Sequence, residues 1–215
     1  MVKTITRNLT SKEQIRSAII QAALKLFLDE GFEQVSMRKI ADVIQYTPTT
    51  IYNYFQNKDE LLQELFLMGF KQFNHALRVA FYESMDKSGK QQFSAILHAY
   101  IDFSLKYPEY HELIFSKNIH RVIQCLQMPS ELIDKESYEG MFLLIQVLKR
   151  LLFEQQKNTD SAIEQAFLIW SAINGYTLSL LSLSKTVEAE VLQIHSTNFV
   201  NMLIDGAIHH MNGGN

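Results

Sequence analysis

AALKLFLDEGFEQVSMRKIADVIQYTPTTIYNYFQNKDELL, residues 22–62, carries the stop signal of one helix, both ends of two short ones and the start signal of a fourth. Working back from Ala22, the first helix begins near Thr10 and Ser11. They stand three residues before Glu13 and Gln14, so either pair can form a capping box. Ile15, Ala18, Ile19, Ala22 and Leu26 then share one face at helical spacing. The helix runs to about Glu30, where Gly31 is expected to end it in a left-handed conformation and fold Phe32 back on the last turn. Ser36 caps a short second helix with Met37, Ile40, Ala41 and Ile44 inward, ending near Gln45. At Thr47-Pro48 three preferences agree: threonine as N-cap, proline at the first helical position, and extended backbone before proline. The third helix therefore spans about 48–54, and Asn57 with Glu60 opens a long fourth helix reaching about Met85.

Two short helices joined by a tight turn, each with one buried face, have the form of a helix-turn-helix whose second member enters the DNA major groove. Ile51 and Phe55 form the apolar pair that ties the third helix to the core, which leaves Thr49, Thr50, Tyr52, Asn53 and Tyr54 outside. Threonine hydroxyls suit phosphate and threonine methyls suit thymine, Asn53 matches adenine, and Tyr52 and Tyr54 suit phosphate oxygens. Arg38 is the candidate for a bidentate guanine contact, and Lys58 adds positive charge at a helix N-terminus that already favours anions. On periodicity alone, an ordinary capped turn of a helical bundle remains equally open.

Beyond Met85, DKSGK at 86–90 is the clearest linker, and helices are expected at about 91–106, 109–118, 119–127, 130–156, 160–183 and 187–211, with a frayed MNGGN tail. No segment alternates with period two, so the chain reads as all-α. Only 8 glycines and 3 prolines in 215 residues agree with few turns and long helices. The one cysteine, Cys125, rules out an internal disulfide or a multi-cysteine zinc site and reads as a packed residue. A leader of charged then apolar residues is missing, as is a run of about 18 uncharged apolar residues. The expectation is therefore a cytoplasmic protein with no membrane segment. A net charge of −3 argues against a general nucleic-acid coat, although residues 1–25 hold Lys3, Arg7, Lys12, Arg16 and Lys25 against Glu13 alone. Enzyme signatures are lacking: there is no G-x-S-x-G, P-loop or G-x-G-x-x-G, and His111-Glu112 lacks the second histidine of a zincin helix. No catalytic residue, cofactor or metal site is expected.

The same stretch resembles the N-terminal signature of the tetracycline-repressor (TetR) family over about residues 15–66. The residues that carry the likeness are Ala22-Ala23-Leu24, Leu26-Phe27, Gly31-Phe32, Ile40-Ala41, Thr50-Ile51-Tyr52, Tyr54-Phe55 and Lys58-Asp59-Glu60-Leu61. The resemblance implies a helix-turn-helix domain at 1–56 and a ligand-binding and dimerisation domain at 57–215, with the fourth helix as connector. It implies a homodimer, a palindromic double-stranded DNA operator and a small-molecule effector that releases a repressor. It also places DNA contacts at Ser36, Arg38, Thr47, Thr49, Thr50, Tyr52, Tyr54 and Lys58. Two positions depart from the family pattern: Gln45 stands where glycine is usual in the turn, and Thr49 where glycine is usual in the third helix. A glutamine held left-handed costs on the order of 1 kcal/mol. These departures keep a helical dimeric adaptor without specific DNA binding as the alternative.

Towards the C-terminus, AFLIWSAINGYTLSL looks like the family's penultimate helix, which implies a four-helix dimer interface from helices 160–183 and 187–211 of both subunits, with Trp170 and Gly175 in it. The aromatic and methionine content of the middle helices offers lining for a pocket suited to an apolar effector: Tyr100, Phe103, Tyr107, Tyr110, Phe115, Met141, Phe142 and Ile145.

Overall fold

The computed structural model describes residues 11–115, 131–184 and 186–209, and of 131–137 and 189 the backbone only. Nine α-helices and no strand occur among the described residues: α1 Lys12–Glu30, α2 Met37–Ile44, α3 Pro48–Tyr52, α4 Lys58–Glu83, α5 Gly89–Lys106, α6 Pro108–Phe115, α7 Glu131–Glu154, α8 Ala162–Leu183 and α9 Ala189–His209. The helix expected near 119–127, Cys125 and the MNGGN tail lie outside the described residues.

Side chains at the helix ends explain most of these boundaries. The box at the start of α1 is the Ser11 one: Gln14 N donates to Ser11 Oγ and Ser11 N to Gln14 Oε1, both at 3.2 Å. Gly31 ends α1 with a positive φ of 88° but an extended ψ of 146°, so it is not the left-handed helical cap expected. Its chain direction still brings Phe32 onto Phe27, ring centroids 5.1 Å apart, and leads into a single 3-10 turn at Phe32–Gln34. Ser36 accepts from Lys39 N at 3.1 Å to start α2, and Gln45 ends it at φ 61°, ψ 39°, a left-handed position filled by a residue with a Cβ. At α4, Glu60 N donates to Asn57 Oδ1 at 2.8 Å as expected, but the Glu60 carboxylate accepts from Gln56 N rather than from Asn57. Ser88 and Gln91 form an unanticipated second box, which starts α5 at Gly89 instead of 91.

Contacts divide the chain into two compact units. The first holds α1–α3, α4 as far as Gly69, and α6 from Glu109. The second holds α4 from Phe70, α5, and α7–α9. The division expected at 56/57 thus falls inside the first unit, because the first turns of α4 bury Leu61, Leu62, Leu65 and Phe66.

In the first unit Ile19, Ala23, Phe27, Ile40, Ala41, Ile44 and Ile51 are sealed from solvent. In the second, Phe73 meets Tyr100, Phe103 and Trp170 edge-on at centroid distances of 5.3, 5.2 and 5.8 Å, the arrangement ring quadrupoles favour. The α4–α5 connection is held from α7: Arg150 donates to Met85 O (3.0 Å), Lys87 O (2.5 Å) and Gln92 Oε1 (2.8 Å), while Glu154 accepts from Gly89 N (2.5 Å). The Gly89 N–H keeps the Glu154 carboxyl below its ordinary pKa.

One described helix, α8, is long and apolar enough by length and composition to cross a bilayer, contrary to the sequence expectation. Beyond Glu164 in its first turn, the run is interrupted by Gln, Ser, Asn and Thr rather than by further charges. Ala162, Ala166, Ile169, Ile173, Thr177 and Leu180 pack into the second unit, whereas Ile163, Phe167, Leu168 and Leu178 are exposed.

Candidate nucleic-acid interface

The third helix is short because it is capped tightly at both ends. Thr47 Oγ1 accepts from Thr50 N (3.3 Å) and pairs with Thr50 Oγ1 (3.0 Å), Pro48 occupies the first position, and Asn53 closes the helix. Ile51 and Phe55 are buried, which fixes the helix face. The opposite side then offers Thr49, Tyr52 and Asn53 to solvent, with Tyr52 54% exposed and Thr50 and Tyr54 half-buried beside them. Ser36, Arg38 and Thr47 are exposed on the preceding turn and helix. Ser36 spends an acceptor lone pair on its cap and keeps its O–H to donate, and the Thr47–Thr50 pair shares one hydroxyl proton and keeps the other. Among the described residues no ion pair engages Arg38, so its guanidinium fork is available. One small surface thus joins a guanidinium, hydroxyls, an amide and phenols, the groups suited to phosphate oxygens and base edges.

Lys58 differs from what the spacing suggested. Its ammonium points inward, donating to Phe32 O at 2.6 Å and Val35 O at 2.9 Å, with Nζ 4.2 Å from the Phe32 ring centroid. Burial of the aliphatic stem over that ring and two carbonyl partners account for the direction. The pattern did not point to Arg16, whose guanidinium lies over Phe55 at 5.2 Å and pairs with Glu64 at 2.9 Å. In the sequence Arg16 stood out only as one of the basic residues of the first 25.

The residues expected around an effector do not share one cavity. Tyr100 and Phe103 are core residues packed on Phe73, and the void bordered by Tyr100, Gly140 and Trp170 measures about 10 Å³, room for one water at most. Burial moves the Tyr100 hydroxyl pKa up, and the hydroxyl lies 3.4 Å from Asn174 Oδ1. Tyr107 meets Phe103 at a tilt of 46°, ring centroids 5.7 Å apart, and lines an open groove between α4 and α5, of about 470 Å³. Tyr110 lies against Gly69 and Phe115 against His111, both within the first unit. Met141 and Ile145 are half-buried. Phe142 is corrected from pocket to surface: α7 turns Leu143, Leu144, Val147 and Leu148 inward, which leaves Phe142 58% exposed. Trp170 is half-buried and packs against Phe73 and Tyr100 of its own subunit. Gly175 lies exposed on the outer face of α8 with open space above it.

Residues 19–65 match the sequence profile of the bacterial regulatory proteins of the tetR family. Over 199 residues the chain is 25% identical to the HTH-type dhaKLM operon transcriptional activator DhaS of Lactococcus lactis, covering 90% of this chain and 91% of that one. It is 36% identical over 74 residues to an uncharacterized HTH-type transcriptional regulator of Haemophilus influenzae, a match spanning 34% of this chain and 40% of that protein. The fold is similar to the crystal structure of a tetR-family regulatory protein from Rhodococcus RHA1, with a TM-score of 0.70 at 15% identity over 91% of this chain and 97% of that one. These relatives are regulators rather than enzymes, and the profile match at residues 19–65 spans the helix-turn-helix just described. Residues 19–65 thus carry a helix-turn-helix of the tetR-family type, and the chain is a DNA-binding transcriptional regulator.

Proposed function

We propose that the chain acts in the cytoplasm as a homodimer that binds a palindromic operator and is released by a small apolar molecule. Each α3 enters a major groove, with Tyr52, Tyr54, Ser36, Thr47 and the Thr49–Thr50 pair on phosphates, Asn53 on adenine and Arg38 on guanine. The observation that carries this is the solvent-facing set Thr49, Tyr52 and Asn53, whose helix face is fixed by the buried pair Ile51 and Phe55, with Arg38 exposed on α2. The dimer forms through the outer faces of α8 and α9, where Phe167, Leu168, Ile194 and Met202 are exposed around the open Gly175. An apolar effector in the second unit enters beside Tyr100, Phe103 and Met141. With a void of about 10 Å³ there, it selects a state in which the aromatic cluster has opened. α4 runs through both units and so carries the change. The expected effect on transcription is repression; the Lactococcus relative, an activator, makes the sign a point for a reporter assay.

The test is a fluorescence titration against the DNA flanking the protein's own coding sequence over a salt series. Tight, salt-sensitive binding that Tyr52→Ala weakens supports the reading. Binding no tighter than to random DNA would sink it in favour of a helical adaptor.

A further inference from the structure

We infer that Lys58 serves DNA binding as a positioning residue, holding the start of α4 to the connection between α1 and α2, and does not neutralise a backbone phosphate. Its two acceptors, Phe32 O and Val35 O, lie 26 and 23 residues away in sequence, so the contact joins separate elements. Phe32 and Val35 are themselves buried and bound the 3-10 turn, in which Val35 N donates to Phe32 O at 3.3 Å. Ser36, the N-cap of α2, follows immediately. Lys58 therefore fixes where the helix-turn-helix begins relative to the first turn of α4.

The location of the charge supports this role. Lys58 is the first residue of α4, the positive end of the helix dipole, where a cation is disfavoured unless nearby oxygens offset it. Asp59 and Glu60 suit that end, and for Lys58 the two carbonyls and the Phe32 ring supply the offset. An ammonium has three N–H groups, and two are engaged here. The third could meet a phosphate only from the position that these two bonds and the Phe32 ring fix. Arg38 shows the contrasting state, exposed and outside any ion pair among the described residues. The inference rests on the DNA-binding function of the chain, which binding by the unsubstituted protein checks separately.

The experiment compares the parent with Lys58→Met, Lys58→Gln and Arg38→Ala on a duplex the parent has selected from random-sequence DNA, between about 50 and 200 mM salt. Lys58→Met keeps the stem and loses the charge; it is expected to weaken binding about tenfold while the slope of log affinity against log salt stays at the parent value. Arg38→Ala, the loss of a base-directed group, is expected to weaken binding and relax the preference for guanine at one position of the selected duplex, whereas a lost phosphate contact would lower the slope by about one. Hydrogen exchange at amides 32–40 should quicken more than tenfold in Lys58→Met and stay unchanged in Arg38→Ala. A fall of the slope by about one in Lys58→Met, or an affinity equal to the parent's, overturns the inference. If Lys58→Met does not fold, Lys58→Gln decides, since its amide still donates to the carbonyls without charge: an unchanged slope supports the tether and a slope reduced by about one refutes it.

Discussion

Phe73 and Gly140 meet at a distance that leaves no room for a methyl group: a Cβ on Gly140 would lie 2.5 Å from Phe73 Cε1 and 3.2 Å from a Leu77 methyl. Glycine in a helix interior ordinarily costs about 1 kcal/mol relative to alanine, so the close passage of α7 over α4 is what retains it. The Phe73 ring cannot yield, being hemmed in by Tyr100, Phe103 and Trp170.

Gly140→Ala should therefore destabilise the second unit by about 1–2 kcal/mol, the overpacking cost less the helix-propensity gain. Urea denaturation followed by Trp170 fluorescence reads it directly, because the chain has one tryptophan and it packs on Phe73. Adding Phe73→Leu should recover part of the loss. Strict additivity of the two substitutions would show that the two residues do not compete for the same space.

Gln45→Gly should stabilise the first unit by about 0.5–1 kcal/mol, since glycine takes the φ of 61° without a Cβ clash. Gln45→Ala should bring no such gain. Equal midpoints for all three proteins would mean that the turn carries no strain.

The Gln45 turn also marks how far the sequence could be read. Caps are local, one side chain on a backbone N–H three residues away, so Ser11, Ser36, Thr47 and Asn57 gave their helix starts correctly. The inward faces of α2 and α3 followed from spacing alone. Directions of long side chains did not, because they depend on elements distant in sequence: Lys58 turns inward for carbonyls 23 and 26 residues back. Phe142, expected in a pocket and found on the surface, differs for the same reason. An aromatic residue at helical spacing reads alike whether it faces core, pocket or partner, and only the packing of α4, α5 and α7 distinguishes these.

If the outer face of α8 and α9 joins two subunits, Leu168→Glu with Met202→Glu should give a monomer at micromolar concentration with unchanged helical circular dichroism. Both residues are more than 60% exposed and border one shallow groove with Ala172 and Gly206. Each charge would have to be buried unpaired in the interface, a cost of several kcal/mol. Light scattering decides the point. A dimeric mass in the doubly substituted protein would place the interface elsewhere.

His111 gives the first unit a pH dependence. The ring is inaccessible to solvent on α6, 5.2 Å from Phe115, and burial lowers its pKa from the ordinary 6.5 to about 4. The folded state thus holds the neutral imidazole, while the unfolded chain takes up a proton near 6.5. Between those values unfolding binds a proton, so stability falls as the pH is lowered from about 6.5 to 4, and below 4 this residue adds no further loss. The gap corresponds to roughly 3–3.5 kcal/mol at most, a substantial fraction of the 5–15 kcal/mol or so by which domains are stable. Urea midpoints at pH 7.5, 6 and 5 should therefore drop more steeply for the parent than for His111→Phe, which keeps a ring beside Phe115 and cannot titrate. Carboxylates titrate alike in both proteins, so the difference between the two curves isolates the imidazole. Parallel curves across that range would show that His111 is solvated in the folded state and that its burial does not govern acid sensitivity.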